Sequence, residues 1–429
     1  MVDNKSTNLK QRIIGSYNKL KETNIIANFF NLSSIQISNI LLLLITIRVI
    51  TGVIGIVEFG IIMFANRVAQ FIATVVNYGT NQTAVKDTAS NLIDTKQLSF
   101  IFYNTLWIRL IIFVLMLLVL LVLRYMHIPY YAYILWSIPI ILAEVFNPLC
   151  FFIGIEKLRV FNIVNLLFNV VAVLTLLVFI KTRYDAIWVN FILGGMNIIT
   201  YLALFIYLHF QLKLTFHLPL KADLIKIAKN NIFLTVNNLS VNLQQSIIIF
   251  ALANWSTAGI LGAYSLCDRV VGQCRNLLIT ISNAIYPNTV HIYNNSIERW
   301  NIYRRKTKYV LTAVFFAGAI LIFTLANFII CPLLSKEHDD TAVLFLRIMA
   351  FVPVVSAFNV LNVLDQLLKN NTVYIFRIAM LLLLVSPLLA FILLTIANTA
   401  LIGAFTLLVE LSALLMYEYA VKKPSLHNA

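Results

Sequence analysis

Two arginines lie in the middle of long apolar stretches of this sequence, where a charged side chain needs a specific partner. The string GIIMFANRV contains Arg67, and the similar string GAYSLCDRV contains Arg269. An arginine near the centre of a membrane helix costs about 2.5–3.5 kcal/mol on insertion scales. Guanidinium groups bind phosphate through two parallel hydrogen bonds. The chemistry that these residues could supply is therefore the binding of an anion inside an apolar region.

Amide side chains accompany the arginines at the spacing of one helix face, on which positions three, four and seven apart lie together. Such stripes predict helices that line a polar cavity, and amides suit the hydroxyl groups of sugars. The alternatives are that the amides only join packed helices, and that arginines near span ends, such as Arg48 and Arg109, reach the headgroups. The predicted substrate-binding residues are Arg48, Arg67, Gln70, Asn77, Asn238, Asn242, Arg269, Arg275 and Asn276.

Acidic residues are few in the apolar stretches. Glu144, Asp268 and Asp365 are deep enough to be candidates for coupling to a proton or ion, although a structural salt bridge or a capping role is the alternative for each. Asp268 adjoins Arg269, which favours pairing with an arginine on another helix. We find no metal-ligand spacing, no phosphate-binding glycine loop and no nucleophile beside a base. The sequence predicts no catalytic residues, no metal and no cofactor.

The elements that position these residues are membrane helices. The chain has 429 residues, of which 61% are hydrophobic and 11% charged, and its mean hydropathy is +0.89. Soluble proteins are about 45–50% apolar and about 25% charged. Apolar runs long enough to cross a bilayer recur along the whole chain. The predicted spans are 27–50, 54–78, 101–124, 130–154, 160–180, 186–210, 231–253, 258–286, 309–334, 342–366, 373–396 and 398–421.

Most of the net charge of +15 predicts orientation and not a nucleic-acid partner. Twenty-two of the 32 lysines and arginines lie in the N-terminal segment, the tail and the connections after even-numbered spans, whereas four lie after odd-numbered spans. Cytoplasmic loops carry the excess of basic residues. Both termini are therefore predicted to be cytoplasmic.

The two similar strings also indicate an internal repeat. Gly60 and Gly262 fall at equivalent places in the second span of each six-span half, so the halves are predicted to be parallel repeats. The predicted fold is an all-α integral membrane protein of about twelve transmembrane helices in two lobes around a central cavity. The predicted divisions are a basic cytoplasmic N-terminus (1–26), an N-lobe (27–210), a cytoplasmic linker (211–230), a C-lobe (231–421) and a cytoplasmic tail (422–429).

This organisation resembles the MOP flippase superfamily. The segment VIGIVEFGIIMFANRVAQFIATVVNYGTNQTAVKDTA is similar to the second span and following loop of Wzx-type polysaccharide flippases, through Glu58, Phe59 and Gly60 and the pair Tyr78 and Gly79. ILGAYSLCDRV and AIYP look like the matching element of the second half. The resemblance implies that the cavity is cationic and that its arginines face a pyrophosphate.

The function implied by this resemblance is a flippase, not an enzyme. It would move undecaprenyl-pyrophosphate-linked oligosaccharide, such as an O-antigen repeat unit, from the inner to the outer leaflet by alternating access. The implied location is the bacterial inner membrane. The implied partners are the lipid-linked substrate, membrane lipids, and a polysaccharide polymerase or glycosyltransferases, with no nucleic acid.

Two other readings remain open from the sequence. One is a multidrug or cation exporter of the same superfamily, in which the first span often carries an acid. Here that span has Gln36, Asn39 and Arg48 but no Asp or Glu. The other is a membrane enzyme of polysaccharide assembly, which would be expected to carry a sizeable loop with a catalytic cluster.

Overall fold

The computed structural model describes residues 3–92, 94–334, 339–369, 371–396 and 398–422. Side chains are described from Ser38 onward, except at 123, 283, 284, 287, 291, 372 and 420–422. Helices account for most of the described residues, and no strand occurs among them. The predicted all-α fold is confirmed.

The first half of the chain forms eight α-helices within the described ranges. They cover the first six predicted spans, and the fourth span is divided among three short helices. The helices are α1 (Asp3–Asn77), α2 (Thr80–Ser90), α3 (Thr95–Tyr125), α4 (Tyr131–Leu135), α5 (Ile138–Phe146), α6 (Leu149–Gly154), α7 (Leu158–Phe179) and α8 (Trp188–Gln211).

The second half covers the remaining six predicted spans in the same way. Its described helices are α9 (Lys221–Trp255), α10 (Ala258–Asn295), α11 (Ile297–Thr324), α12 (Ala326–Leu333), α13 (Asp340–Met349), α14 (Val352–Leu368), α15 (Thr372–Thr395), α16 (Thr399–Ile402) and α17 (Phe405–Lys422).

Helix α1 contains a break at Gly55, where φ is 80° and ψ is 173°. Glycine alone adopts this backbone conformation readily, because a side chain would collide with the neighbouring peptide. The break divides α1 into α1a (3–54) and α1b (56–77), which match the first two predicted spans. The boundary predicted between spans 27–50 and 54–78 lies at Gly55, since Gly52 stays helical.

Prolines mark several of the other helix boundaries. Pro139 lies in the first turn of α5, Pro148 is the N-cap of α6, and Pro353 lies in the first turn of α14. Proline has no N–H to donate, so it fits the start of a helix and interrupts one that would otherwise continue. The fourth span is therefore broken at Pro148, which leaves backbone carbonyl groups of α5 open to another donor.

The exterior of the helix assembly is apolar. Leu118 and Val122 on α3 are 56% and 60% exposed. An extensive apolar surface of this kind is suited to lipid. Eight helical segments of the described chain are long and apolar enough to cross a membrane. The protein is therefore a multi-pass membrane protein. Helices α9, α10 and α17 fall outside the eight, and amides and charged residues interrupt α9 and α10.

Helices α1b and α10 cross at the two glycines of the repeated string. A Cβ on Gly60 would lie 2.6 Å from the backbone nitrogen of Gly262, and a Cβ on Gly262 would lie 2.1 Å from the carbonyl oxygen of Ile56. Only a residue without a Cβ allows backbones to approach this closely. The repeat thus brings equivalent residues of the two halves into contact with each other.

Helix α1 also packs along α9, so α1, α9 and α10 form the principal contact between the halves. α8 ends at Gln211 and α9 begins at Lys221, within the predicted linker. The division into two lobes at these positions stays a prediction. The side chains of the predicted N-terminal segment (1–26) and residues 423–429 of the predicted tail lie outside the described part.

Candidate functional site

A cavity of about 620 Å³ lies between α1, α9, α10, α15 and α17. Half of the twelve predicted binding and coupling residues line it, and they come from both halves of the chain. We call this space the arginine cavity. Its predicted lining residues are Arg67, Gln70, Asp268, Arg269, Arg275 and Asn276.

Two of the three guanidinium groups in the arginine cavity are paired with carboxylates. Arg67 Nη2 lies 2.8 Å from Asp268 Oδ2, which joins α1b to α10. Arg275 Nη2 lies 3.1 Å from Glu410 Oε1, which joins α10 to α17. The predicted pairing of Asp268 with an arginine on another helix is confirmed. Three arginines and two carboxylates leave the lining with a net positive charge.

Arg269 differs from the other two arginines in its partner. Its Nη2 donates to Asn66 Oδ1 at 3.1 Å, and no described carboxylate lies within 4.0 Å of its guanidinium nitrogens. A neutral amide oxygen occupies only part of the donor capacity of a guanidinium group. Arg269 therefore retains donors for an anion that enters the cavity.

Asn66 and Asn190 form a buried hydrogen-bond centre behind Arg269. Asn66 Nδ2 donates to Asn190 Oδ1 at 3.2 Å, and Gln70 Nε2 donates to Asn66 Oδ1 at 2.8 Å. Asn190 Nδ2 donates to the carbonyl oxygen of Ile62 and to Ser137 Oγ, both at 2.9 Å. The sequence analysis did not select these residues, although Asn66 occupies the place of Asp268 in the repeated string.

A second cavity of about 540 Å³ lies between α1b, α2, α5, α8 and α9. It adjoins the arginine cavity, because Gln70 and Gln245 line both. We call it the amide cavity. Its predicted lining residues are Gln70, Asn77, Glu144, Asn238 and Asn242; the sequence analysis did not select Asn81, Gln82, Asn197 and Tyr201, which also line it.

The polar stripes of α1b and α9 face each other across the two halves. Asn242 Nδ2 donates to Thr74 Oγ1 at 2.9 Å. The amide of Asn238 on α9 also exchanges two hydrogen bonds of 3.2 and 3.3 Å with the amide of Gln82 on α2. The helical spacing predicted that the polar residues of each helix lie on one face. It did not predict that the polar faces of two helices would hydrogen-bond to each other.

Glu144 is the ionisable carboxylate of the amide cavity. Its Oε1 accepts from Asn77 Nδ2 at 2.5 Å, and its Oε2 accepts from Asn147 Nδ2 at 2.9 Å. Among the described side chains, no cationic nitrogen lies within 4.0 Å of this carboxylate. Two amides therefore orient Glu144 while both oxygens keep acceptor capacity.

Arg48 and Asp365 do not line either cavity. The Arg48 side chain is exposed on α1a. Asp365 is buried on α14, where Oδ2 lies 2.9 Å from Arg304 Nη1 and 2.7 Å from Lys369 Nζ. Trp300 Nε1 donates to Oδ1 at 2.8 Å. These partners favour the structural alternative for Asp365, because the carboxylate is held by two cations and an indole.

The structure contradicts the interpretation that Arg109 lies near the end of a span and reaches the headgroups. Its side chain is 1% exposed. Nε donates to Thr80 Oγ1 at 2.8 Å, Nη2 to Asn81 Oδ1 at 2.9 Å, and Nη1 to the carbonyl oxygen of Asn147 at 2.7 Å. The break at Pro148 leaves this carbonyl free to accept. The buried partners of Arg109 therefore cannot be read from its position along the span.

Replacing Arg109 with alanine should destabilise the protein by roughly 3–5 kcal/mol, because four oxygen acceptors lose their donor in a buried site. Arg109→Lys should recover only part of this stability, since lysine lacks the planar fork of donors. Arg124→Ala on the same helix is the matched control, because Arg124 is exposed. Thermal unfolding of the purified variants in detergent measures the difference. Equal melting temperatures for Arg109→Ala and Arg124→Ala would contradict the buried network.

The family of this chain is shown by a match to a region that forms the amide cavity and most of the arginine cavity. Residues 25–293 match the family described as "Polysaccharide biosynthesis protein", which is more than half of the chain. The chain belongs to this family. The match includes α1 from residue 25 onward, all of α9 and most of α10, and thus Arg67 and Arg269.

One curated relative and two solved structures are similar to this protein over most of the chain. A curated relative in Escherichia coli (strain K12), named "Putative O-antigen transporter", is 22% identical over 351 residues, covering 80% of this chain and 83% of the relative. An inward-facing MATE family multidrug resistance transporter of the MOP superfamily superposes with a TM-score of 0.72 at 14% identity, covering 90% of this chain and 96% of that one. Lipid II flippase MurJ, in an inward closed conformation, gives 0.69 at 12% identity, covering 93% and 87%. The family member described here therefore has the MOP flippase fold, as predicted.

Proposed function

We propose that this protein is a flippase for undecaprenyl-pyrophosphate-linked oligosaccharide, such as an O-antigen repeat unit. It would carry the glycolipid from the inner to the outer leaflet of the bacterial inner membrane by alternating access. The observation that carries the proposal is the arginine cavity. Its three guanidinium groups, from both halves of the chain, favour an anion over a cation.

The charge balance of the cavity supports a pyrophosphate more than a cationic drug. A cation would meet a lining with a net positive charge, and the two carboxylates present are already paired with arginines. A pyrophosphate offers several oxygens to guanidinium donors, which bind phosphate bidentately. The name of the Escherichia coli relative supports an oligosaccharide-bearing substrate, and the lipid II flippase shares the fold.

In the proposed orientation both termini are cytoplasmic, and the membrane potential supports outward transport of an anionic substrate. A substrate with about two negative charges would leave a negative-inside cell with the help of the membrane potential. The gain is about 2.3 kcal/mol per charge for each 100 mV. In this proposal the two lobes, 27–210 and 231–421, rock about the crossing at Gly60 and Gly262. A polysaccharide polymerase and glycosyltransferases would act on the same lipid-linked substrate.

Deletion of the gene should cause single undecaprenyl-linked repeat units to accumulate, as measured by mass spectrometry of extracted lipids. The Arg67→Ala, Arg269→Ala double variant should accumulate the same lipids, because it removes two of the three cations of the arginine cavity. Arg124→Ala is the control, since this exposed arginine lies outside both cavities.

Three other outcomes would be informative. Accumulation in the deletion but not in the double variant would retain the flippase and reject the arginine cavity as its site. Unchanged glycolipids in the deletion would contradict the proposed function. Unchanged glycolipids together with increased retention of cationic dyes would indicate a drug exporter.

A further inference from the structure

The amide cavity has a chemical character that the arginine cavity lacks. Its lining contains one carboxylate and no lysine or arginine, whereas the arginine cavity carries three arginines. A phosphate in the amide cavity would face Glu144 without a cation among the lining residues. The amide cavity is therefore unsuited to the charged part of the substrate.

Neutral polar groups dominate the lining instead. The side chains of Asn197, Tyr201 and Gln245 make no hydrogen bond within the described part of the chain. Glu144 adds a carboxylate that its two amide partners hold in place. Hydroxyl groups of a sugar can donate to the carboxylate and both donate to and accept from the amides. The volume of about 540 Å³ lies within the range of about 300–1,000 Å³ typical of ligand pockets.

The two cavities lie close enough to hold two parts of one molecule. Gln70 and Gln245 line both, so no helix separates the spaces at that point. Gln70 is held by Asn66, which is also the partner of Arg269. A ligand with an anionic group beside a neutral group rich in hydroxyls would match both linings, with the anionic group in the arginine cavity and the hydroxyl groups in the amide cavity.

We infer that the amide cavity is the subsite for the sugar of the glycolipid, next to an anion subsite in the arginine cavity. This inference rests on the proposed function. In it, α8 determines glycan recognition through Asn197 and Tyr201, while α10 holds the pyrophosphate through Arg269. Specificity for the repeat unit would then depend mainly on the free polar groups of α8, and recognition of the pyrophosphate mainly on Arg269 of α10.

The test compares two ligands on the purified, full-length protein. One is undecaprenyl pyrophosphate without sugar, and the other is the undecaprenyl-linked oligosaccharide extracted from the deletion strain. The variant is Asn197→Leu, Tyr201→Phe, which removes two polar groups that have no protein partner. Tyr207→Phe is the matched control, because Tyr207 lies on the same helix and lines neither cavity.

The double variant should bind the oligosaccharide lipid more weakly, by about two- to tenfold for each lost hydrogen bond. Its affinity for sugar-free undecaprenyl pyrophosphate should not change. Arg269→Ala should weaken the binding of both ligands. Tyr207→Phe should behave as the wild type with both.

Other results would overturn the inference. If the double variant binds the oligosaccharide lipid as tightly as the wild type, the amide cavity does not recognise the sugar. If it loses affinity for both ligands equally, Tyr201→Phe alone, the smaller change, decides the outcome. A loss confined to the oligosaccharide lipid supports the inference, and an equal loss for both ligands overturns it. If the wild type binds neither ligand, the proposed function itself is wrong.

Discussion

Replacing Arg269 with alanine is expected to lower the rate of glycolipid translocation by about 100-fold. Arg269 is the arginine of the cavity whose guanidinium has no described carboxylate within 4.0 Å. A hydrogen bond to a charged group contributes about 1.5–3 kcal/mol, and 1.4 kcal/mol corresponds to a factor of ten. The measurement is the transfer of labelled undecaprenyl-linked oligosaccharide across proteoliposome membranes.

Matched variants separate the role of Arg269 from the total charge of the cavity. Arg67→Ala and Arg275→Ala each remove the same charge but also free a carboxylate, Asp268 or Glu410, so a structural loss accompanies each. Arg269→Lys should retain part of the rate, because the charge remains without the fork of donors. Asp268→Asn should tighten the binding of undecaprenyl pyrophosphate, since it releases Arg67. If Arg269→Ala transports normally while Arg275→Ala does not, the anion subsite has been placed on the wrong turn of α10.

Gly262→Ala is expected to destabilise the contact between the halves by about 3 kcal/mol or more. The added Cβ would lie 2.1 Å from the carbonyl oxygen of Ile56, a backbone atom that moves only if α1 and α10 separate. Overpacking typically costs about 1–3 kcal/mol, and more where the neighbour cannot adjust. Heating followed by size-exclusion chromatography in detergent measures the fraction that remains folded.

Two glycines on the same helix provide the controls. A Cβ on Gly259 or Gly272 would meet no heavy atom within 4 Å. Alanine at these positions should be neutral or slightly stabilising, because alanine favours helix by about 1 kcal/mol over glycine. Gly60→Ala should follow Gly262→Ala, since its Cβ would lie 2.6 Å from the backbone of Gly262. A Gly262→Ala protein as stable as Gly259→Ala would mean that the helices do not cross here.

The sequence predicted the membrane helices and the positions of most cavity residues. Apolar length determines which segments become helices that can cross a bilayer, and every predicted span falls on helix within the described ranges. Helical spacing determines which residues share a face, so the stripes of α1b and α9 were visible in the sequence. Ten of the twelve predicted binding and coupling residues line one of the two cavities. Their roles in transport stay predictions.

The partners of those residues were not predictable from one helix at a time. The network of Arg109 depends on α2 and on a carbonyl released at Pro148, which only the packed structure brings together. Asp365 meets Trp300 and Arg304 because α11 packs against α14. A charged residue deep in a span indicates only that it has a partner. Which residue is the partner depends on how the helices pack in the tertiary fold.

Asp268 and Glu410, which pair with two of the cavity arginines, limit which anions the arginine cavity would bind. Three unpaired guanidinium groups would retain any small phosphate ester, including nucleotides. With Asp268 and Glu410 in place, an anion can reach the donors of Arg269 directly, but it must displace a carboxylate that lies within 3.1 Å of the guanidinium before it can bind Arg67 or Arg275 as well. Breaking a partly desolvated ion pair is costly unless the newcomer supplies more charge. In the proposed function, the arginine cavity would therefore bind a ligand with two adjacent phosphates in preference to a ligand with one.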